Sequence, residues 1–200
     1  MGPASRKALL TAHVVASVGW IGAVAAFLAL NVVGLTSSDP MLSRAMFRAM
    51  DVCGLFIVVP ASLASVLTGI LQGLWTPWGL VRHRWVITKL VVSLLATILL
   101  LLHQFTAVRE AARRAELGVP VGQIGVQLVL DASAAIAILL FATVLSIYKP
   151  WGLTRWGVRA RDAGAEAPPL VGSAKLVMVL AVIALGGFVI LHLAGGGMHH

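Results

Sequence analysis

Five long apolar runs divide the chain, at roughly 8–34, 52–74, 85–108, 124–148 and 172–194. Each supplies the ~20 mostly apolar residues that a helix needs to cross a bilayer. The first run follows "SRK" and could pass for a signal peptide, but it is too long for one and no small-residue cleavage site ends it. Within the runs, polar residues recur at helical spacing. His13, Ser17, Trp20 and Asn31 share a stripe on the first run, and Ser65, Thr68 and Gln72 on the second. Lys89, Ser93 and His103 fall on one broad face of the third, and Gln127 and Asp131 on one face of the fourth. The fifth is apolar until His192. The pattern predicts an all-α fold over residues 1–200: a single polytopic membrane bundle of five transmembrane helices, with four forming a core around inward polar faces and a peripheral fifth.

The connecting segments add local expectations. In "DPMLSRAMFRAMD" (39–51), Asp39 and Pro40 form a helix start. Leu42, Ala45, Met46 and Ala49 lie opposite Arg44, Arg48 and Asp51, which predicts a short amphipathic helix lying on the membrane surface. Pro60 predicts a kink whose freed carbonyl needs another donor. Gly19, Gly22 and Ala23 beside Trp20 predict a close helix crossing. Residues 159–171 read as a polar linker.

Composition agrees with the pattern. The chain is 60% hydrophobic and 11% charged, with a mean hydropathy of +0.98, whereas soluble domains carry about 25% charged residues. One cysteine, Cys53, excludes an intramolecular disulfide. The net charge of +8 does not indicate nucleic acid, because no recognition motif accompanies it. The Lys and Arg residues flank the apolar runs: ten fall on the side of the amino terminus, five on the other. The positive-inside rule then predicts a multi-pass protein of the bacterial inner membrane, amino terminus cytoplasmic and carboxyl terminus outside. Its expected partners are the lipid bilayer and a membrane protein or second copy.

A phrase repeats on the cytoplasmic side of this topology: "PWGLVR" (77–82) and "PWGLTR" (150–155). Sliding the chain by this offset superposes the apolar runs but not the polar residues, so the copies share no site. Pro stops a helix, Trp anchors at headgroups and Arg meets anionic lipid. The phrase therefore reads as a repeated helix terminator.

Depth sorts the candidate chemistry. At 1.5 Å per residue, His13 lies about 8 Å and Lys89 about 6 Å from the inner ends of their spans, and Gln72 is near them. His103 and Asp131 lie about 8 and 10 Å from the outer ends, close to His192. Two polar clusters result, one per leaflet. Intramembrane ionisable residues are costly and point to function, and histidines from different helices at one depth can grip a b-type haem. His103 and His192 meet that condition. His13 and His103, about 20 Å apart in depth, do not; His13 would pair with Lys89, His83, a sulfur or an open position. Lys89 either snorkels or is buried for a purpose. Asp131 either orients His103 or serves as a protonated donor. No phosphate loop, Ser-His-Asp arrangement or cysteine-rich metal site is present.

"HVVASVGWIG" (13–22) and "HRWVITKLVVSLLATILLLLH" (83–103) resemble the pattern of haem-dependent membrane protoporphyrinogen oxidases and copper-resistance D type membrane proteins. With "YKPWGLTRWG" after the fourth run, the chain more closely resembles an uncharacterised family of small bacterial integral membrane proteins. The more distant resemblance rests on His13, Trp20, Trp85, Lys89 and His103. It implies haem b with His13 as a ligand and Lys89 as a residue needed for activity. The candidate site is thus Lys89 as catalytic residue, His13, His103 and His192 as haem or metal ligands, and Trp20 and Asp131 beside the cofactor. Three functions follow: a haem-binding redox protein for electron transfer or oxidation of a small hydrophobic substrate; a copper or other metal-ion transporter using His and Met (Met41, Met46, Met50), with Ser17, Asn31, Ser65, Thr68 and Gln72 along its path; or an accessory subunit.

Overall fold

The computed structural model describes residues 2–76, 79–162 and 164. Helix α1 (Pro3–Thr36) starts with Pro3, whose missing N–H is unneeded in a first turn. It is 34 residues long, about 51 Å at the helical rise, so it exceeds the hydrocarbon thickness of ~30 Å. Its buried residues, His13, Trp20, Ala23, Val24, Phe27, Asn31 and Gly34, make one stripe. Leu10, Val14, Val15 and Val18 face outward, as lipid-facing positions do.

Helix α2 (Pro40–Cys53) is capped by Asp39, whose carboxylate accepts from the Met41 N–H at 2.9 Å. It does not end at the bilayer. A π turn (Gly54–Val58) carries the backbone directly into α3 (Val59–Trp75). Pro60 explains the turn's position. Proline removes the donor that an α register would require, and the wider register, with the Val59 N–H on the Gly54 carbonyl, takes the chain past that gap. The next rod has the same plan: α4 (Arg84–Leu99), a π segment (Leu100–Gln104) and α5 (Phe105–Glu116). Helix α6 (Gly122–Tyr148) returns to the amino-terminal face. It closes on Lys149 in the left-handed region (φ 47°), just before Pro150, and a short α7 (Arg155–Asp162) follows.

Four helical rods, 3–36, 40–75, 84–116 and 122–148, are long and apolar enough to cross a membrane. These contain the first four predicted spans. The fifth, 172–194, and with it His192, lies outside the described residues. Helix α1 is the hub, packing against α2, α3 and α6. The core is centred on Trp20, Phe27, Phe47, Met50, Leu128 and Leu139.

Three local expectations are corrected. The segment 39–51 is not a helix resting on a membrane surface: it continues the second rod and packs against α1 and α5. Its buried residues are Phe47 and Met50, whereas Leu42 and Met41 are exposed. Met41 and Met50 therefore point to different environments, and the three methionines do not form a soft-metal set. Gly19 and Gly22 face away from the bundle with open space where a Cβ would stand. The close crossings instead use Gly125, pressed by Leu35, and Gly34, pressed by Phe47 and Met46.

The repeated phrase acquires a second meaning. The end of the first copy and the residue after it lie antiparallel to the second copy, with His83 bridged to Leu153. The Thr154 N–H donates to the Arg82 carbonyl at 2.9 Å, and its hydroxyl donates to the Val81 carbonyl at 2.7 Å. The same oxygen accepts from the Gly157 N–H at 3.1 Å. A Cβ on Gly157 would overlap the Arg82 carbonyl. The two loops thus clasp each other, tying the end of α3 and the start of α4 to the end of α6.

Candidate functional site

The amino-terminal half of the bundle holds a polar site built by α1, α3, α4 and α6. His13 is 8% exposed, and its surroundings fix its tautomer. The Thr68 hydroxyl has one proton, directed to the Ala64 carbonyl at 2.6 Å. Its oxygen can then only accept from His13 Nδ1, 3.0 Å away. The Ser65 carbonyl, 3.1 Å from the same nitrogen, can also only accept. Nδ1 therefore carries the proton, and Nε2 presents a lone pair. Gly69 makes this seat possible: a Cβ there would come 3.0 Å from His13 Cε1.

Facing that lone pair is Lys89. Its ammonium lies 3.4 Å from His13 Nε2 and donates to the Ser146 hydroxyl at 2.6 Å, while Ser146 donates onward to the Ala142 carbonyl at 2.9 Å. Lys89 thus turns inward across α4 and α6 rather than snorkelling. Ser17 and Ser65 share a hydrogen bond of 2.8 Å, and the Gln72 amide donates to the Leu9 carbonyl at 3.3 Å. A cavity of about 100 Å³ runs beside this network, walled by His13, Gln72, Trp85 and Lys89 with apolar Leu80 and Leu90. The structure thus brings together His13, Lys89 and Gln72.

The remaining candidates are placed elsewhere. Trp20, 2% exposed, lines a separate cavity in the opposite half, as does Asp131. His103 belongs to the π segment Leu100–Gln104; its side chain lies outside the described residues, so its pairing with Asp131 does too. Asn31 does not join Ser17, Ser65 and Thr68 along one path: it is fully buried and donates to the Gly125 carbonyl of α6 at 3.0 Å. Ser146 is the contributor that sequence reading missed. Its signal was present, since a Ser near the end of an apolar span sits at the depth of Lys89.

Two cofactor classes can be tested against this geometry. The donor chemistry at His13 suits an axial metal bond, because a carbonyl-bound Nδ1–H with a free Nε2 is how ligating histidines are oriented. The space does not suit a porphyrin: about 100 Å³ falls well short of the ~300 Å³ at which drug-sized pockets begin. Among the described residues, no group of three or more His, Cys, Asp and Glu could hold a metal ion.

No family model, curated protein or solved structure matches the chain.

Proposed function

We propose that this multi-pass membrane protein binds the anionic group of a small amphiphile at Lys89, with His13 Nε2 placed to take the proton that the ligand's acid group gives up as it becomes the anion. One observation carries the reading. The Lys89 ammonium sits in a membrane-embedded cavity, and its hydrogen bonds go to two neutral groups, His13 and Ser146. A buried charge without a counter-charge is expensive, and none of the described residues supplies one to Lys89, so the complementary occupant is an anion. The cavity is the size of a carboxylate or phosphate group, and Trp85, Val86 and Leu90 beside it provide apolar contact for the adjoining chain.

The direct test compares radiolabelled decanoate with decanol for binding to the purified protein in mild detergent. The expected result is a preference for decanoate that Lys89→Met removes. Equal binding of both compounds by the wild-type protein would contradict the proposal.

Haem b ligated by His13, with Lys89 as a residue needed for activity, is the second reading, favoured by the tautomer that leaves Nε2 unprotonated. It requires the cavity to widen. An absorption spectrum taken oxidised and reduced tests it. A Soret band that shifts on reduction and is lost in His13→Ala supports it, and a colourless protein from haem-sufficient cells sinks it. Metal analysis of the same sample tests copper handling.

A further inference from the structure

The half of the bundle opposite the amino terminus contains a cavity of about 180 Å³. Its walls are apolar over most of their extent, including Trp20, Phe27, Leu99 and Ile138. Three side chains break that character: Asp51, Gln104 and Asp131. All three present acceptor oxygens.

These oxygens are not equivalent. Asp51 already has a cationic neighbour in Arg109, with Glu116 of like charge also within electrostatic range. The Gln104 side-chain oxygen is buried and accepts no hydrogen bond. Asp131 stands nine residues into α6, about 14 Å along the helix. No described residue forms a hydrogen bond or ion pair with it. A carboxylate at such depth is costly, and residues of this kind mark ligand sites or proton pathways. Here it lines a preformed apolar space, a combination that calls for a donor carrying positive charge.

The volume sets the ligand's size. An apolar cavity of about 150 Å³ holds one benzene molecule. The space here holds one six-membered ring with a short arm. We propose that it binds a small hydrophobic primary ammonium compound, with the ring between Trp20, Phe27 and Ile138 and the ammonium donating to Asp131. The site is independent of the one around Lys89, because no residue lines both cavities.

Fluorine NMR titration of the full-length protein in detergent tests this, using 4-fluorobenzylammonium against the nearly isosteric 4-fluorobenzyl alcohol. The ammonium is expected to bind at least about tenfold tighter, the ratio that one charge-assisted hydrogen bond supplies. Asp131→Asn should bring the two compounds to parity while leaving alcohol binding in place. Ala135→Phe, which fills the cavity from α6, should abolish both and serves where Asp131→Asn is poorly folded. Equal affinities in the wild-type protein, an unchanged ratio in Asp131→Asn, or binding that survives Ala135→Phe would each overturn the assignment.

Discussion

Replacing Lys89 with methionine separates a functional lysine from a structural one. The side chain keeps its length and apolar stem but loses the charge. The loss comprises a short hydrogen bond to Ser146 at 2.6 Å and a long one to His13 at 3.4 Å. Hydrogen bonds to charged groups contribute about 1.5–3 kcal/mol, and the long contact counts for little, so about 2–4 kcal/mol is lost. Against this, a lysine at the centre of a membrane helix costs about 2.5–3.5 kcal/mol to insert. Lys89 lies five residues into α4, about 8 Å from its start, so somewhat less than that is recovered. The two terms nearly cancel. Lys89→Met should therefore change unfolding free energy by no more than about 1 kcal/mol, while removing the preference for decanoate. Reversible unfolding in mixed dodecyl sulfate micelles, followed by tryptophan fluorescence, measures the first quantity. A destabilisation beyond about 3 kcal/mol, the range of a broken buried pair, would refute the reasoning and make Lys89 a structural tie between α4 and α6.

Three further substitutions probe other parts of the structure. Gly69→Ala places a methyl group 3.0 Å from His13 Cε1; stability should stay within about 1 kcal/mol because alanine favours a helix over glycine, but decanoate affinity should fall several-fold as the imidazole shifts, and binding measurements check this. Thr154→Val leaves the Val81 carbonyl and the Gly157 N–H without their side-chain partner, so unfolding measurements should show a loss of about 1–3 kcal/mol, while Thr154→Ser should keep most of the clasp. Arg48→Ala breaks the ion pair with Glu116 at 3.3 Å, but the arginine side chain is 75% exposed, so the same measurement should detect less than about 1 kcal/mol.

The spans were legible because lipid-facing helices must be apolar over a fixed length, and length and hydropathy are written locally. The inner cluster was legible for a related reason: a depth calculation along straight helices needs only the helical rise, and it put His13, Lys89 and Gln72 at one level. What escaped depended on partners. The apolar face of α2 was misjudged because the sequence shows an amphipathic helix but not whether a membrane or two other helices cover it. Phe47 and Met50 are buried by α1 and α5, and Leu42 is left outside. Gly19 and Gly22 suggested a crossing that Gly125 and Gly34 provide, because a glycine in an apolar helix does not disclose which face meets a neighbour. Pro60 marked a real irregularity, whose form as a π turn could not be derived from one residue. The duplicated phrase reads locally as a helix terminator, but the pairing of the two loops is a contact between residues about seventy positions apart, and nothing local encodes that.

His13 holds its proton on Nδ1 and directs an unprotonated Nε2 at the Lys89 ammonium. Nitrogen-15 NMR of the histidine-labelled protein in lipid nanodiscs, assigned by comparison with His13→Asn, reads both ring nitrogens directly. The hydrogen bonds predict a protonated Nδ1 and an unprotonated Nε2 near neutral pH, with the Nε2 resonance moving in Lys89→Met. A protonated Nε2, or a spectrum indifferent to Lys89→Met, would contradict this assignment.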